Sequence, residues 1–272
     1  MSGALQWKRA SLDPSPVAHH PDDMSQPLRR FFVPPGSLRA RNVTLGPDLA
    51  HRLGRVLRLK RGGHILLSVG GARDYEVQLT GVSPYAITGV VISEREAPPE
   101  PQLKLVLYQS LIRANRFDLV LEKGTEIGVS RFAPVIAARS QVQGNGEPST
   151  PRSERWERIV IEAAEQCGRG RLPIVDPALP FESAVRQARG LKVLPFEGER
   201  RRGISAYLGG LSRRPDTVSL FIGPEGGFDD AEVERAREAG AEIVSLGPRI
   251  LRSETAGIVA AALVLNALGE IG

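Results

Sequence analysis

Cysteine occurs once, at Cys167. A single thiol rules out a disulfide within the chain and leaves no cysteine set to ligate a metal. The four histidines are scattered without metal-site spacing, so no metal is expected. Long apolar runs are also missing. The most apolar segment covers only about 12 residues, short of the roughly 20 that a membrane-spanning helix needs, so no membrane association is expected. No G-x-G-x-x-G follows a strand, and no phosphate-loop lysine and serine appear. A nucleoside triphosphate or an ordinary Rossmann dinucleotide is therefore not the expected ligand. The first 28 residues lack the apolar centre of a signal peptide and carry Asp13, Asp22 and Asp23, too acidic for a transit peptide. They read as a flexible extension, with Met24 as a possible true start, and a cytoplasmic, reducing setting is expected.

What is present is a globular composition, 41% hydrophobic and 25% charged, with net charge +5 and pI about 9.7. The charge is unevenly spread. Residues 29–61 hold nine Lys/Arg against one acid, Asp48, a net +8 that exceeds the total of the chain. An anionic partner should meet this segment. Its cations include Arg29, Arg30, Arg52, Arg55 and Arg58, with His51 among them.

The pattern divides the chain. Residues 31–33 read as a strand, 48–59 as a helix with Leu49, Leu53, Val56 and Leu57 on one face, 64–69 and 73–79 as a hairpin, and 87–92 as another strand. That predicts a small β-barrel domain over 29–96. Residues 94–101, with three prolines and three acids, read as a linker. From 101 to 272 strands and helices alternate, which predicts an α/β domain with a mainly parallel sheet. Its strands are expected at 103–108, 132–137, 174–175, 191–196, 217–222 and 243–246. Helices are expected from Asn115 to 126 with Gly128 as stop, from Ser153 to 166, over 181–188 and 231–239, and over the almost wholly apolar 254–268. A polar loop is expected at 143–151. Asp229 followed by Glu232 predicts a helix-capping box. No internal repeat is present.

Three loops leave strand ends in this second domain: 195–198, 223–228 and 247–256. Open α/β sheets bind ligands there, so one composite pocket is expected. Gly226 and Gly227 let backbone amides approach a ligand, while Glu197 and Glu225 favour a ligand with a positive centre over phosphate.

The segments Gly223-Pro224-Glu225-Gly226-Gly227 and Arg249-Ile250-Leu251-Arg252-Ser253-Glu254-Thr255-Ala256 resemble the motifs of the SPOUT methyltransferases, in particular the family that methylates N3 of uracil-1498 in 16S ribosomal RNA. Arg30-Phe31-Phe32-Val33, the His51 to Arg58 helix, Arg116 with Lys123-Gly124-Thr125-Glu126-Ile127-Gly128, and Glu165-Gln166-Cys167-Gly168-Arg169 are similar to further stretches of it. The likeness spans about residues 29–272. It implies a PUA-like RNA-binding barrel, a SPOUT domain with a trefoil knot, S-adenosylmethionine as cofactor, 16S rRNA of the small ribosomal subunit as partner, and a homodimer. The cofactor is then expected at Pro195, Phe196, Glu197, Ile222, Gly223, Pro224, Gly226, Gly227, Leu246, Gly247, Ile250, Leu251, Arg252, Thr255 and Ala256. RNA is expected at Arg29, Arg30, His51, Arg52, Arg55, Arg58, Arg113, Lys123 and Arg169. Arg252 and Arg116 are candidates to stabilise charge on the uracil oxygens, and Glu197 or Glu225 to accept its N3 proton. Arg113 and Cys167 depart from the family, which commonly carries lysine and serine there; N3 chemistry needs no cysteine. The competing readings are a SPOUT enzyme with another RNA target and a non-catalytic RNA-binding or ribosome-assembly protein.

Overall fold

The computed structural model describes residues 28–140 and 150–272. The expected extension, apart from Leu28, lies outside the described residues, as does most of the polar loop expected at 143–151.

The first part of the chain builds one mixed sheet. Its strands are β1 (Arg30–Phe32), β2 (Leu38–Arg39), β3 (Asn42–Leu45), β4 (His64–Ser68), β5 (Arg73–Val82) and β6 (Ile87–Glu96), in the order β1-β4-β5-β6-β3-β2. β1 runs parallel to β4 and the remaining pairs are antiparallel. Strand alternation sends Phe31, Val43, Leu45, Ile65, Leu67, Val77, Leu79 and Ile87 into one core, closed by Leu53. Leu53 belongs to the expected 48–59 helix, which is in fact α1 (Pro47–Ala50) continued by a single π turn, His51–Val56. β6 also runs further than expected. Glu94, Arg95 and Glu96 pair with Tyr75, Asp74 and Arg73, so the linker begins only at Ala97.

The second part is a parallel sheet with helices on both faces. Its elements are β7 (Lys104–Ser110), α2 (Ala114–Ile127), β8 (Arg131–Ile136), α3 (Thr150–Cys167), β9 (Ile174–Val175), β10 (Leu179–Pro180), α4 (Phe181–Gln187), β11 (Leu191–Pro195), α5 (Ile204–Gly209), β12 (Thr217–Ile222), α6 (Asp230–Glu238), β13 (Ala241–Val244) and α7 (Ser253–Ala267). The strand order is β10-β8-β7-β12-β11-β13, with β9 also on β8. Side chains leave the strands alternately. Leu105, Leu107, Leu220 and Ile222 meet α2, α3, α5 and α7, whereas Tyr108, Phe221 and Leu194 meet α4 and α6. Tyr108 stacks on Phe221 with ring centroids 4.5 Å apart. Gly128 caps α2 as expected, but the helix begins earlier, with Arg113 rather than Asn115 as N-cap. α3 likewise begins at Thr150, ahead of Ser153. α5 has no counterpart among the expected elements.

The two parts meet at the end of α3. Glu165 accepts hydrogen bonds from Arg52 at 2.7 and 2.8 Å and from the Phe32 N–H at 3.0 Å. Arg30 pairs with Asp74 and donates to the Arg169 carbonyl at 2.6 Å. Arg169 in turn pairs with Glu100 and donates to the carbonyls of Thr125 and Val129. These bonds lash the basic sheet to the helical layer.

Candidate active site

Because β12, β11 and β13 are parallel neighbours, Ile222, Pro195 and Val244 all end at one edge of the sheet. The three loops expected to form a pocket therefore start side by side. Each is held by different means. The 223–228 loop turns tightly, with the Gly227 N–H on the Pro224 carbonyl at 3.0 Å. Phe228 is buried against Phe181 at 4.9 Å between ring centroids and anchors the far end. The capping box is present: Asp229 accepts from the Glu232 N–H at 2.7 Å, and Glu232 accepts from the Asp229 N–H at 3.0 Å. Glu232 also accepts from the Ala138 N–H, and Arg139 donates to the Gly226 carbonyl at 3.0 Å.

Gly227 has φ +68°, and a Cβ there would come within 2.4 Å of Glu197 Oε1. Only glycine both adopts this backbone and lets the 195–198 loop approach so closely. A hydrogen-bond relay fixes the third loop. Gln109, at the end of β7, donates to Ser253 Oγ at 2.9 Å, and Ser253 donates to the Gly223 carbonyl. A Cβ on Gly257 would lie 2.5 Å from Gln109 Oε1, so the helix must be bare at that point. The start of α7 is thus tied to the glycine loop.

The ionisable groups converge on Arg116. Its guanidinium lies 3.7 Å from Glu225 and 3.6 Å from Glu254. Each carboxylate keeps its Oε2 buried without a hydrogen-bond partner. Buried oxygens left this way are costly, and they mark an unfilled polar requirement beside the loops. Arg113 joins through its N–H, 3.4 Å from Glu225. Arg252 is exposed, and its side chain has no ion pair among the described residues.

Of the expected cofactor positions, Gly226, Gly247, Ile250, Arg252 and Thr255 are exposed, and Pro195, Phe196, Gly223, Gly227, Leu246, Leu251 and Ala256 are half-buried. Ile222 and Pro224 are buried, so their side chains belong to the core and only their backbone can face a ligand. Ile250 stands out of the 247–251 loop at 89% exposure.

Several cations expected to meet RNA have other duties. Arg30 and Arg169 are withdrawn from the surface: their side chains are 5% and 9% exposed and each is locked in an ion pair. Arg52 is taken up by Glu165 and lies over the Phe31 ring. Lys123 pairs with Glu122 and Glu126 on its own helix, and those bonds raise its pKa. Arg29, His51, Arg58 and Arg113 remain exposed, and the side chain of Arg55 lies outside the described residues. Sequence reasoning missed Gln109 and Arg139, and named Ser253 and Glu254 only as members of the 249–256 motif, without a role. A glutamine among apolar neighbours at a strand end was the available signal for the first.

A cleft of about 490 Å³ lies elsewhere, along β13. Its Arg202 pairs with Glu242, and its Glu199 accepts from the N–H groups of Arg201 and Arg202, so the charges there are largely internally satisfied. Among the described residues no group of His, Cys, Asp and Glu is placed to hold a metal ion, and no helix is long and apolar enough to cross a membrane.

Comparison with known proteins adds kinship to this geometry. The profile of the RNA methyltransferase domain matches residues 98–265. Ribosomal RNA small subunit methyltransferase E of Bacillus subtilis is 32% identical over 244 residues, covering 86% of this chain and 94% of that protein. A methyltransferase of Legionella pneumophila, solved with the bound cofactor SAM, superposes with a TM-score of 0.82 at 30% identity, over 89% of this chain and 98% of its own. Ribosomal RNA small subunit methyltransferase E of Neisseria gonorrhoeae, bound to S-adenosyl methionine, gives a TM-score of 0.79 at 30% identity, over 88% and 97%.

Proposed function

The chain belongs to the RNA methyltransferase family, and from that premise we propose that it is an S-adenosylmethionine-dependent enzyme that methylates N3 of uridine 1498 in 16S ribosomal RNA of the small subunit. The observation that carries the reading is the joining of the 223–228 loop to the start of α7 through Gln109 and Ser253, with Arg116 set between two carboxylates beside it.

The residues present suit the cofactor. The bare Gly227 lets the Glu197 carboxylate lie against the glycine loop, and Glu197 and Glu225, with the unpartnered buried Oε2 of Glu225, supply negative charge for a sulfonium and an ammonium. S-adenosylmethionine, when bound, supplies an electrophilic methyl group. Residues 195–198, 223–227 and 247–256 would hold it. The chain must then make the uracil nucleophilic, because N3 carries a proton at neutral pH. Arg252 and Arg116 would stabilise the charge that builds on O2 or O4 as that proton leaves. Glu197 or Glu225 would accept it.

In this reading residues 29–96 hold RNA and 101–272 perform transfer, in the cytoplasm, with the pocket loops forming a trefoil knot. A second copy of the chain would complete the enzyme. α7 supports this, since Ile258, Val259, Ala262 and Leu263 are only half-buried within one chain. Mass mapping of 16S RNA from a strain lacking this gene tests the target. A gain of one methyl mass at that uridine, dependent on both protein and S-adenosylmethionine, is the expected result. Methylation elsewhere would sink the target, and no heat of cofactor binding in calorimetry would sink the enzyme.

A further inference from the structure

The turn between β5 and β6 is built to hold one aromatic ring in solvent. Ser83 Oγ donates to the Ala86 carbonyl at 2.9 Å and accepts from the N–H groups of Tyr85 and Ala86 at 3.3 and 3.0 Å. The Ser83 N–H also reaches the Ala86 carbonyl at 3.0 Å. This turn is fixed, yet Tyr85 at its tip is 80% exposed. A lone aromatic side chain on a rigid turn gains nothing from folding, because burial is what such a ring contributes to stability.

Positive charge lies along the hairpin that carries the tip. β3 pairs Leu45 with Ile87, which brings α1 and its π turn alongside. A Cβ on Gly54 would lie 3.2 Å from Val82 Cγ1, so the π turn packs on the strand just before the tip. The Gly62 N–H donates to the Leu79 carbonyl at 2.8 Å, and the Leu79 N–H to the Gly63 carbonyl at 2.9 Å. These bonds lay the 58–63 loop along β5. Arg58, Lys60, Arg61 and His51 are all exposed there, against one acid, Asp48.

We propose that Tyr85 is a stacking platform for an unpaired RNA base, with Arg58, Lys60 and Arg61 of the loop along β5 holding the neighbouring phosphates. The proposal rests on the reading that the partner is RNA. A single exposed ring on a hairpin whose strand carries a basic loop fits a polyanion with exposed π-faces; it lacks the apolar area that a protein interface buries. Pre-ordering of the turn backbone by Ser83 lowers the entropy cost of binding, leaving only the Tyr85 side-chain torsions to be fixed.

The test uses the full chain, a fluorescently labelled unstructured RNA, and anisotropy titrations over a range of salt. Tyr85→Ala should weaken binding by about ten-fold or more and raise the RNA KM, while kcat and cofactor affinity stay the same. Tyr85→Phe, which keeps the ring, should bind as wild type does. The salt slope should be unchanged in Tyr85→Ala and shallower in Lys60→Ala, since only phosphate contacts release counterions. Wild-type affinity in Tyr85→Ala overturns the proposal, as does equal weakening in Tyr85→Phe. If wild type itself binds no RNA, the RNA reading falls and this proposal with it. If wild type binds RNA but methylates none, the enzymatic reading fails alone.

Discussion

Arg116 sits where two carboxylates compete for one guanidinium. Neither is close enough for a good hydrogen bond at 3.6 and 3.7 Å, so the cation is centred between them rather than committed to one. Among the described residues no other ion pair engages its guanidinium, which leaves N–H donors for the proposed substrate. In the proposed reaction Glu254 would act through Arg116, as a positioning residue. Glu254→Gln keeps the volume but removes half of the restraint, and kcat should fall by about ten- to a hundred-fold with the RNA KM little changed. Steady-state kinetics check this; an equal loss in KM would assign Glu254 to binding instead. Cys167 has the opposite character. It is exposed as a residue, yet burial around its thiol raises the pKa above the ordinary value, outweighing the Arg169 N–H that pulls it down. A raised pKa means less thiolate at any given pH, so alkylation should be slow near pH 7 and its rate should climb at higher pH than for a free thiol. Cys167→Ser should keep full activity.

Among the elements, those legible in the sequence are those set by near neighbours. The capping box of α6 needs only Asp229 and Glu232, and the structure has it. Asp229→Ala should cost about 1 kcal/mol. Glu232→Ala should cost more, because Glu232 is buried and also serves the Ala138 N–H across the loop; denaturant titration compares the two. Elements decided at a distance were not legible. The 48–59 periodicity is helical, but the Leu57 N–H reaches back to Arg52, the Leu59 N–H reaches Leu53, and Arg58 turns left-handed at φ 55°. The sheet beneath, at Val82, fixes that ending. α5 is six residues long and ends in Gly209 and Gly210, too short to show a period. That the three loops start side by side was legible because parallel strands dictate where their ends lie. Gln109 and Glu254 were not, since their roles exist only when β7, β12 and α7 are side by side.

At the scale of the whole molecule, the basic surface and the junction draw on the same cations. Arg30 finds Asp74 44 residues away, and Arg169 finds Glu100 69 residues away, separations that no local pattern reveals. Desolvation lowers the pKa of Arg30 and raises that of Glu165, so both groups are ionised at some cost and depend on their partners. Removing one member of a buried pair strands the other. Arg30→Ala should therefore destabilise the protein by about 3–5 kcal/mol, while Arg29→Ala, at an exposed site, should change stability by no more than about 0.5 kcal/mol. Thermal melts of the two variants decide between a junction and a surface role. The fastening of α7 has a consequence for timing. Ser253 bonds Gln109 at the end of β7, and Glu270 accepts the N–H groups of Gln102 and Leu103 just before its start. The Gly223 end of the glycine loop is therefore fastened only once α7, the last described element, packs against β7; until then the loop is held at Gly226 and Phe228 alone.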